Sequence, residues 1–233
     1  MKKNRLLFLL IPFILVLFAF LGCGGSNGGT GRMVEKGELV PFSPFTEDTT
    51  QVVSDDVDSL IESAYTLFEI QEYSNATAAF SNLTSRTDLS TNQRVKSLVG
   101  LGWSQFKSQG ADASISSFNE TVSLSPGNAD AKVALGAALV QSNANRDVNR
   151  AVTLLEEVGL GNTAFVYNQE RRFGISNAEA HALLALAYWL RNQTGDRDAA
   201  KGQINTAKAA DSAGDSSVAQ IEQTLITLNG GPL

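Results

Sequence analysis

Apolar positions along this chain fall into three regimes. Residues 6–21 form an unbroken apolar run behind the positive stretch Met1-Lys2-Lys3-Asn4-Arg5. Residues 24–54 are rich in Gly, Ser and Thr, with scattered Pro and little periodicity. From Val57 onward strand signals are scarce, and apolar residues recur at the spacing of a helix face. The first helices of this region carry two apolar stripes each. One stripe comprises Leu60, Ala64 and Leu67, then Leu98, Leu101 and Gly102, then Leu135, Gly136 and Leu139, then Leu184, Ala185 and Tyr188. The other comprises Ile61, Tyr65 and Phe68, then Val99, Trp103 and Phe106, then Val133, Ala137 and Val140, then Ala182, Leu186 and Trp189. A surface helix needs only one such stripe to dock, so the second has to be assigned to something else.

The helical region is self-similar. Small residues recur inside each first helix at Ala64, Gly102, Gly136 and Ala185, with steps of 38, 34 and 49. Bulky residues recur inside each second helix at Phe80, Phe118, Leu155 and Ile204, with steps of 38, 37 and 49. Two markers that keep nearly the same step point to repeated helix pairs, in which the small residue admits a close helix approach and the bulky one fills the space. Pro126 cannot continue a helix and marks the turn into the next unit.

The clearest unit contains Leu98-x-x-Leu101-Gly102, then Ser114-Ile115-x-x-Phe118, Leu124 and Ser125-Pro126-Gly127-Asn128. This resembles the tetratricopeptide repeat, and the resemblance covers roughly residues 57–228. Gln105 stands where a Tyr is usual and Ser114 where an Ala is usual. Extra residues occur at 143–149, and an insertion at 159–176 precedes the fourth unit. The implied fold is all-α: a right-handed superhelix of about four stacked helix-turn-helix units, closed by a final capping helix at 216–228. Such proteins bind peptides on the concave face lined by the first helices. By that resemblance the second stripe faces the groove, and Tyr65, Phe68, Trp103, Phe106, Val140 and Trp189 form a peptide-binding surface of the aromatic kind that anchors interfaces. The competing reading is that a short superhelix closes on itself or on its insertion, leaving these residues as core. Asp58, Glu69, Lys96, Lys107 and Gln141 flank the groove without a single sign of charge.

The N-terminus adds an address. A charged start, an apolar run and small residues at a cleavage point are the parts of a secretory signal. The run is sixteen residues long, short of the ~20 that span a bilayer as a helix. Phe20-Leu21-Gly22-Cys23 resembles the lipobox of bacterial lipoproteins, in which the cysteine receives lipid and becomes the new N-terminus. Phe20 departs from the usual smaller aliphatic residue. The expected organisation is a signal peptide at 1–22, lipidated Cys23 with a flexible linker to residue 55, and a repeat domain at 56–229. Gly24 after the cysteine implies outer-membrane anchoring facing the periplasm in a cell with two membranes. Within the linker, residues 39–45 (Leu-Val-Pro-Phe-Ser-Pro-Phe) are more apolar than their surroundings, and either dock on the domain, bind a partner or remain extended.

Charge and composition narrow the function further. The whole chain carries a formal charge of −6; losing Lys2, Lys3 and Arg5 leaves 15 basic residues against 24 acidic ones, a charge of −9. That balance opposes a nucleic-acid partner, which needs a basic face. His181 is the only histidine, and with one cysteine there is no Cys/His set with metal spacing. No nucleophile–base arrangement is recognisable, and the acid pairs Glu156-Glu157 and Asp55-Asp56 read as solvated surface. No cofactor, metal or catalysis is expected. The implied function is that of a membrane-anchored protein-binding adaptor or assembly factor of the cell envelope, similar to pilotins and other assembly lipoproteins. The alternative is a lipoprotein that binds a small molecule or cell-wall fragment in the aromatic groove.

Overall fold

A computed structural model describes residues 56–169, 174–212, 214 and 216–233. The expected signal peptide, Cys23 and the linker to residue 55 lie outside the described residues. Among the described residues there are nine α-helices and no strand. They are α1 (Val57–Glu69), α2 (Tyr73–Thr84), α3 (Thr91–Gln109), α4 (Ala111–Leu124), α5 (Ala129–Gln141), α6 (Val148–Val158), α7 (Asn177–Arg191), α8 (Asp196–Ala210) and α9 (Ser216–Asn229).

Each helix packs on the next along the chain through α8. In addition α1 touches α3, α3 touches α5, α5 touches α7, and α9 lies against α7 and α8. Contact confined to near neighbours is the order of a solenoid, in which every unit is stabilised by the one beside it. The described residues therefore form an all-α helical-repeat superhelix of four helix pairs with α9 as the cap.

The helix starts are written in the local sequence. Ser90 and Gln93 form a reciprocal capping box at α3, as do Ser176 and Glu179 at α7. Asn128 caps α5, its side chain accepting from the Ala131 amide at 2.8 Å. α6 ends on Gly159 at φ +111°, a conformation that a side chain would strain.

The recurring small and bulky residues meet as the spacing predicts. A Cβ on Gly102 would lie 2.4 Å from the Phe118 ring, and one on Gly136 would lie 3.1 Å from Leu155. Gly100 makes the same kind of contact in the opposite direction: its Cβ would lie 2.3 Å from the Phe80 ring of the preceding unit. α3 thus receives one phenyl ring from each side, and both Phe80 and Phe118 are fully buried. The departures from the repeat pattern are accommodated by hydrogen bonds. Buried Ser114 donates to the Ala111 carbonyl at 2.8 Å, and Gln105 accepts from Ser117 on α4 at 2.8 Å.

The last pair is closed by polar contacts. Arg191 at the end of α7 forms a two-pronged pair with Asp196 at the start of α8, at 2.9 and 2.7 Å. The Asp196 carboxylate also accepts from the Gln193 amide at 2.8 Å. The Arg191 hydrogen bonds hold its carboxyl below the ordinary range, against the opposing effect of burial. Tyr188 donates to Glu156 of α6 at 2.7 Å; burial first, then this bond to a carboxylate, pushes its phenol up.

Two outcomes follow from these contacts. Gly102→Ala should destabilise the domain by about 1–3 kcal/mol in a denaturant melt although Ala favours helix, because a buried ring cannot yield. Gly136→Ala, which meets the movable end of a leucine, should cost clearly less; equal costs would show that ring contact is not the cause. Asp196→Asn should cost about 1–3 kcal/mol at neutral pH. A depressed folded-state pKa contributes stability above the unfolded value of about 3.9 and loses it as pH falls through the folded value. The gap between wild type and Asp196→Asn in thermal melts should therefore close on acidification below about pH 4.

Candidate functional site

Most of the second apolar stripe is packed inside the domain. Tyr65, Phe68, Trp103, Val140 and Trp189 are all buried, and Phe106 is half-buried. Of the two readings left open by the sequence, these positions follow the core. The physical reason is visible in the ring contacts, because the aromatics meet partners within their own units. Tyr65 packs edge-on against Phe80 of α2 at 4.8 Å, and Phe68 against Tyr73 at 5.1 Å. Trp103 packs against Phe118 of α4 at 5.4 Å and against Phe106 at 5.6 Å. The Arg197 guanidinium of α8 lies 3.4 Å from the centre of the Trp189 ring.

One described residue of the insertion also lies beside this core: a Cβ on Gly174 would lie 3.8 Å from the Trp103 indole. Tyr167 is buried and donates to Asp130 at the start of α5, while its amide donates to Asn177 at 2.7 Å. His181 proves to be a fixing point of this segment. It is fully buried, with Nδ1 2.6 Å from Gln203 Oε1 and Nε2 3.0 Å from the Phe165 carbonyl oxygen. Gln203 in turn donates to the Leu160 carbonyl at 2.8 Å. The lone histidine and a glutamine of α8 therefore pin both ends of the turn that leaves α6.

Among the described residues, a cavity of about 460 Å³ opens beside the first helices. Its wall is built by Tyr65 of α1, by Thr91, Asn92, Val95, Lys96 and Val99 of α3, and by Leu124, Ser125, Asn128 and Asp130 around the α4–α5 turn. Tyr65, one of its lining residues, donates to the Lys96 carbonyl at 2.6 Å. The chemistry is mixed: three aliphatic groups, hydroxyls, two amides, one ammonium and one carboxylate. Lys96 is half-buried and makes no ion pair among the described residues. Leu124 keeps 40 % of its surface exposed, unusual here for a large apolar side chain.

Of the expected site residues, the structure brings only Tyr65 to this cavity, together with Lys96, which the sequence placed on the rim. Thr91, Asn92 and Val95 were not singled out, and Leu124 and Asn128 were named only as positions of the repeat unit. A signal for them existed, since Ser90-Thr91 and Asn128-Ala129 start consecutive first helices 38 positions apart and so place their polar starts side by side. No group of three or more His, Cys, Asp or Glu able to hold a metal occurs among the described residues. No helix among them is long and apolar enough to cross a membrane. Asp112, an exposed acid, is consumed structurally. It accepts from the Ser142 hydroxyl and from the Asn143 and Ala144 amides at 3.2 and 3.3 Å, and the Ser142 bond first of all holds its carboxyl below the usual range.

No protein-family model matches this sequence, and no curated protein matches it either. Among solved structures the chain is similar to a thermophilic TPR protein of Thermus thermophilus, known from its crystal structure, at a TM-score of 0.52 and 16 % identity. The similarity covers 74 % of this chain and 84 % of that one. With nine helices and no strand among the described residues, the fold is that of a tetratricopeptide-type superhelix.

Proposed function

We propose that this protein is a lipid-anchored adaptor or assembly factor of the cell envelope, which binds another protein through the first-helix face of its repeat domain. In a cell with two membranes, the anchor on Cys23 would sit in the outer membrane with the domain facing the periplasm. The observation that carries the reading is the cavity between α1, α3 and α5. It is a recess among the described residues that offers apolar contacts and hydrogen-bonding groups together. The tetratricopeptide-type fold supports a protein partner, and the acidic balance of the chain argues against nucleic acid. Catalysis forms no part of the proposal.

A second reading is kept by one quantity. A recess of about 460 Å³ falls within the size of small-ligand sites, so a small molecule or cell-wall fragment is the alternative occupant. The buried tryptophans are not available to it, and Tyr65 is the aromatic on the described wall.

Both parts of the proposal have direct tests. Envelope proteins cross-linked to the full-length protein in cells should be recovered with wild type. Recovery should fall about tenfold with Asn92→Ala combined with Leu124→Asp, the loss of roughly 1.4 kcal/mol of binding. Both positions are exposed, so circular dichroism should show an unchanged helical fold; equal recovery from that folded variant would sink the cavity as a partner site. For the anchor, labelled palmitate should enter the wild type and not Cys23→Ser, and label in both would refute lipidation there.

A further inference from the structure

We infer that His181 is a proton-dependent pin: it holds the segment after α6 while both ring nitrogens carry a proton, and it gives up one contact when the ring becomes neutral.

The donors and acceptors around the ring form one continuous row. At one end Nε2 of His181 lies 3.0 Å from the Phe165 carbonyl oxygen. A carbonyl oxygen only accepts, so the proton of that bond sits on Nε2. At the other end the Gln203 amide nitrogen donates to the Leu160 carbonyl at 2.8 Å and lies 3.4 Å from the Gly161 carbonyl oxygen. Those oxygens again only accept, so the NH2 group of Gln203 faces them and its Oε1 faces the ring. Nδ1 lies 2.6 Å from that Oε1, and this contact needs a proton on Nδ1 as well. Turning the Gln203 amide over satisfies a neutral ring but sets its oxygen against the Leu160 and Gly161 carbonyls. Moving the single proton of a neutral ring to Nδ1 leaves the Phe165 carbonyl without a donor. A neutral imidazole therefore always leaves one contact of the row without a proton, and an imidazolium completes them all.

The ring is fully buried, so bulk water does not supply the missing donor, and a buried polar group left unpaired is costly. Burial of a cation opposes the proton, and no charged group among the described residues reaches the ring to offset that. On α7 itself Glu179 is taken by Ser176 and Ser217, and Arg191 by Asp196 of α8. Glu156 of α6 takes the Tyr188 hydroxyl, Glu157 pairs with Lys132 of α5, and Glu222 of α9 pairs with Lys208 of α8. Asp130 of α5 takes the Tyr167 hydroxyl, Arg150 of α6 donates to Asn119, and Arg197 of α8 donates to Asn192. Asp198 and Lys201 of α8 are exposed. The contest is thus between the hydrogen bonds of the row and desolvation, on the side chain whose charge changes closest to neutral pH. With the contacts complete, the folded chain holds a proton that the unfolded chain releases as pH rises. The contribution of the pin is then present in acid and declines as pH rises.

His181 is the only histidine of the chain, so nitrogen-15 labelling of histidine in the full-length protein, purified without a histidine tag, gives ring signals that belong to it alone. At about pH 5.5, below the ordinary imidazole range near 6.5, both ring nitrogens should resonate as protonated. At about pH 8.5, above that range, one of them should not. The Leu160, Phe165 and Tyr167 amides are hydrogen-bonded. Between the two conditions their hydrogen exchange should rise about tenfold more than intrinsic exchange chemistry accounts for, the scale of one lost hydrogen bond. In His181→Phe that excess should vanish; if this variant does not fold, the wild-type ring signals decide alone. One bare ring nitrogen already at the lower pH would overturn the inference. So would a ring doubly protonated at both, or exchange of the three amides that shows no excess.

Discussion

The structure turns on how closely α3 can be approached. Two phenyl rings, Phe80 from the unit before and Phe118 from its own unit, lie on Gly100 and Gly102, where any side chain would collide with them. Those contacts set the separation of α2, α3 and α4, and through it the pitch at which the first two units stack. Full burial of each ring is worth about 1.5–3 kcal/mol. Gly136 and Leu155 repeat the arrangement in the third unit with a softer side chain. The first-helix face that results, including the recess beside Lys96, is a consequence of this spacing and not of residues placed there for their own sake.

Much of this was readable from the residues. The glycine and phenylalanine markers kept their step, and the contacts they imply are present at Gly102 and Phe118 and at Gly136 and Leu155. Helix starts at Ser90, Asn128 and Ser176 carry their caps in the sequence. The second apolar stripe was the point at which pattern alone could not decide. A tyrosine at 65 or a tryptophan at 103 has the same spacing whether it looks into a groove or at Phe80 and Phe118. Periodicity records which side of a helix is apolar; it does not record what lies on that side. The deciding contacts come from rings such as Phe80 and Phe118 in the second helix of each unit, while residues 159–169 of the insertion are held by distant partners such as His181, Gln203 and Asp130.

The recess was missed for a related reason. Its wall is drawn from three helices and one turn, and Thr91, Asn92 and Asn128 also serve at or beside helix starts, a role that fully explains them in isolation. Only their juxtaposition makes a site. Lys96 was named from the sequence as a rim residue, and its place on the wall became apparent once Tyr65 was seen to hold its carbonyl.

The pinned insertion also changes what kind of object the repeat array is. A plain solenoid unzips from either end, since each unit knows only its neighbour. Here the segment after α6 is tied by Tyr167 to α5, by the Phe165 carbonyl to α7 and by the Leu160 carbonyl to α8. Four helices of the C-terminal half share one stretch of chain, so pulling any one away loosens the others. The C-terminal half is thereby bound together by more than neighbour-to-neighbour stacking.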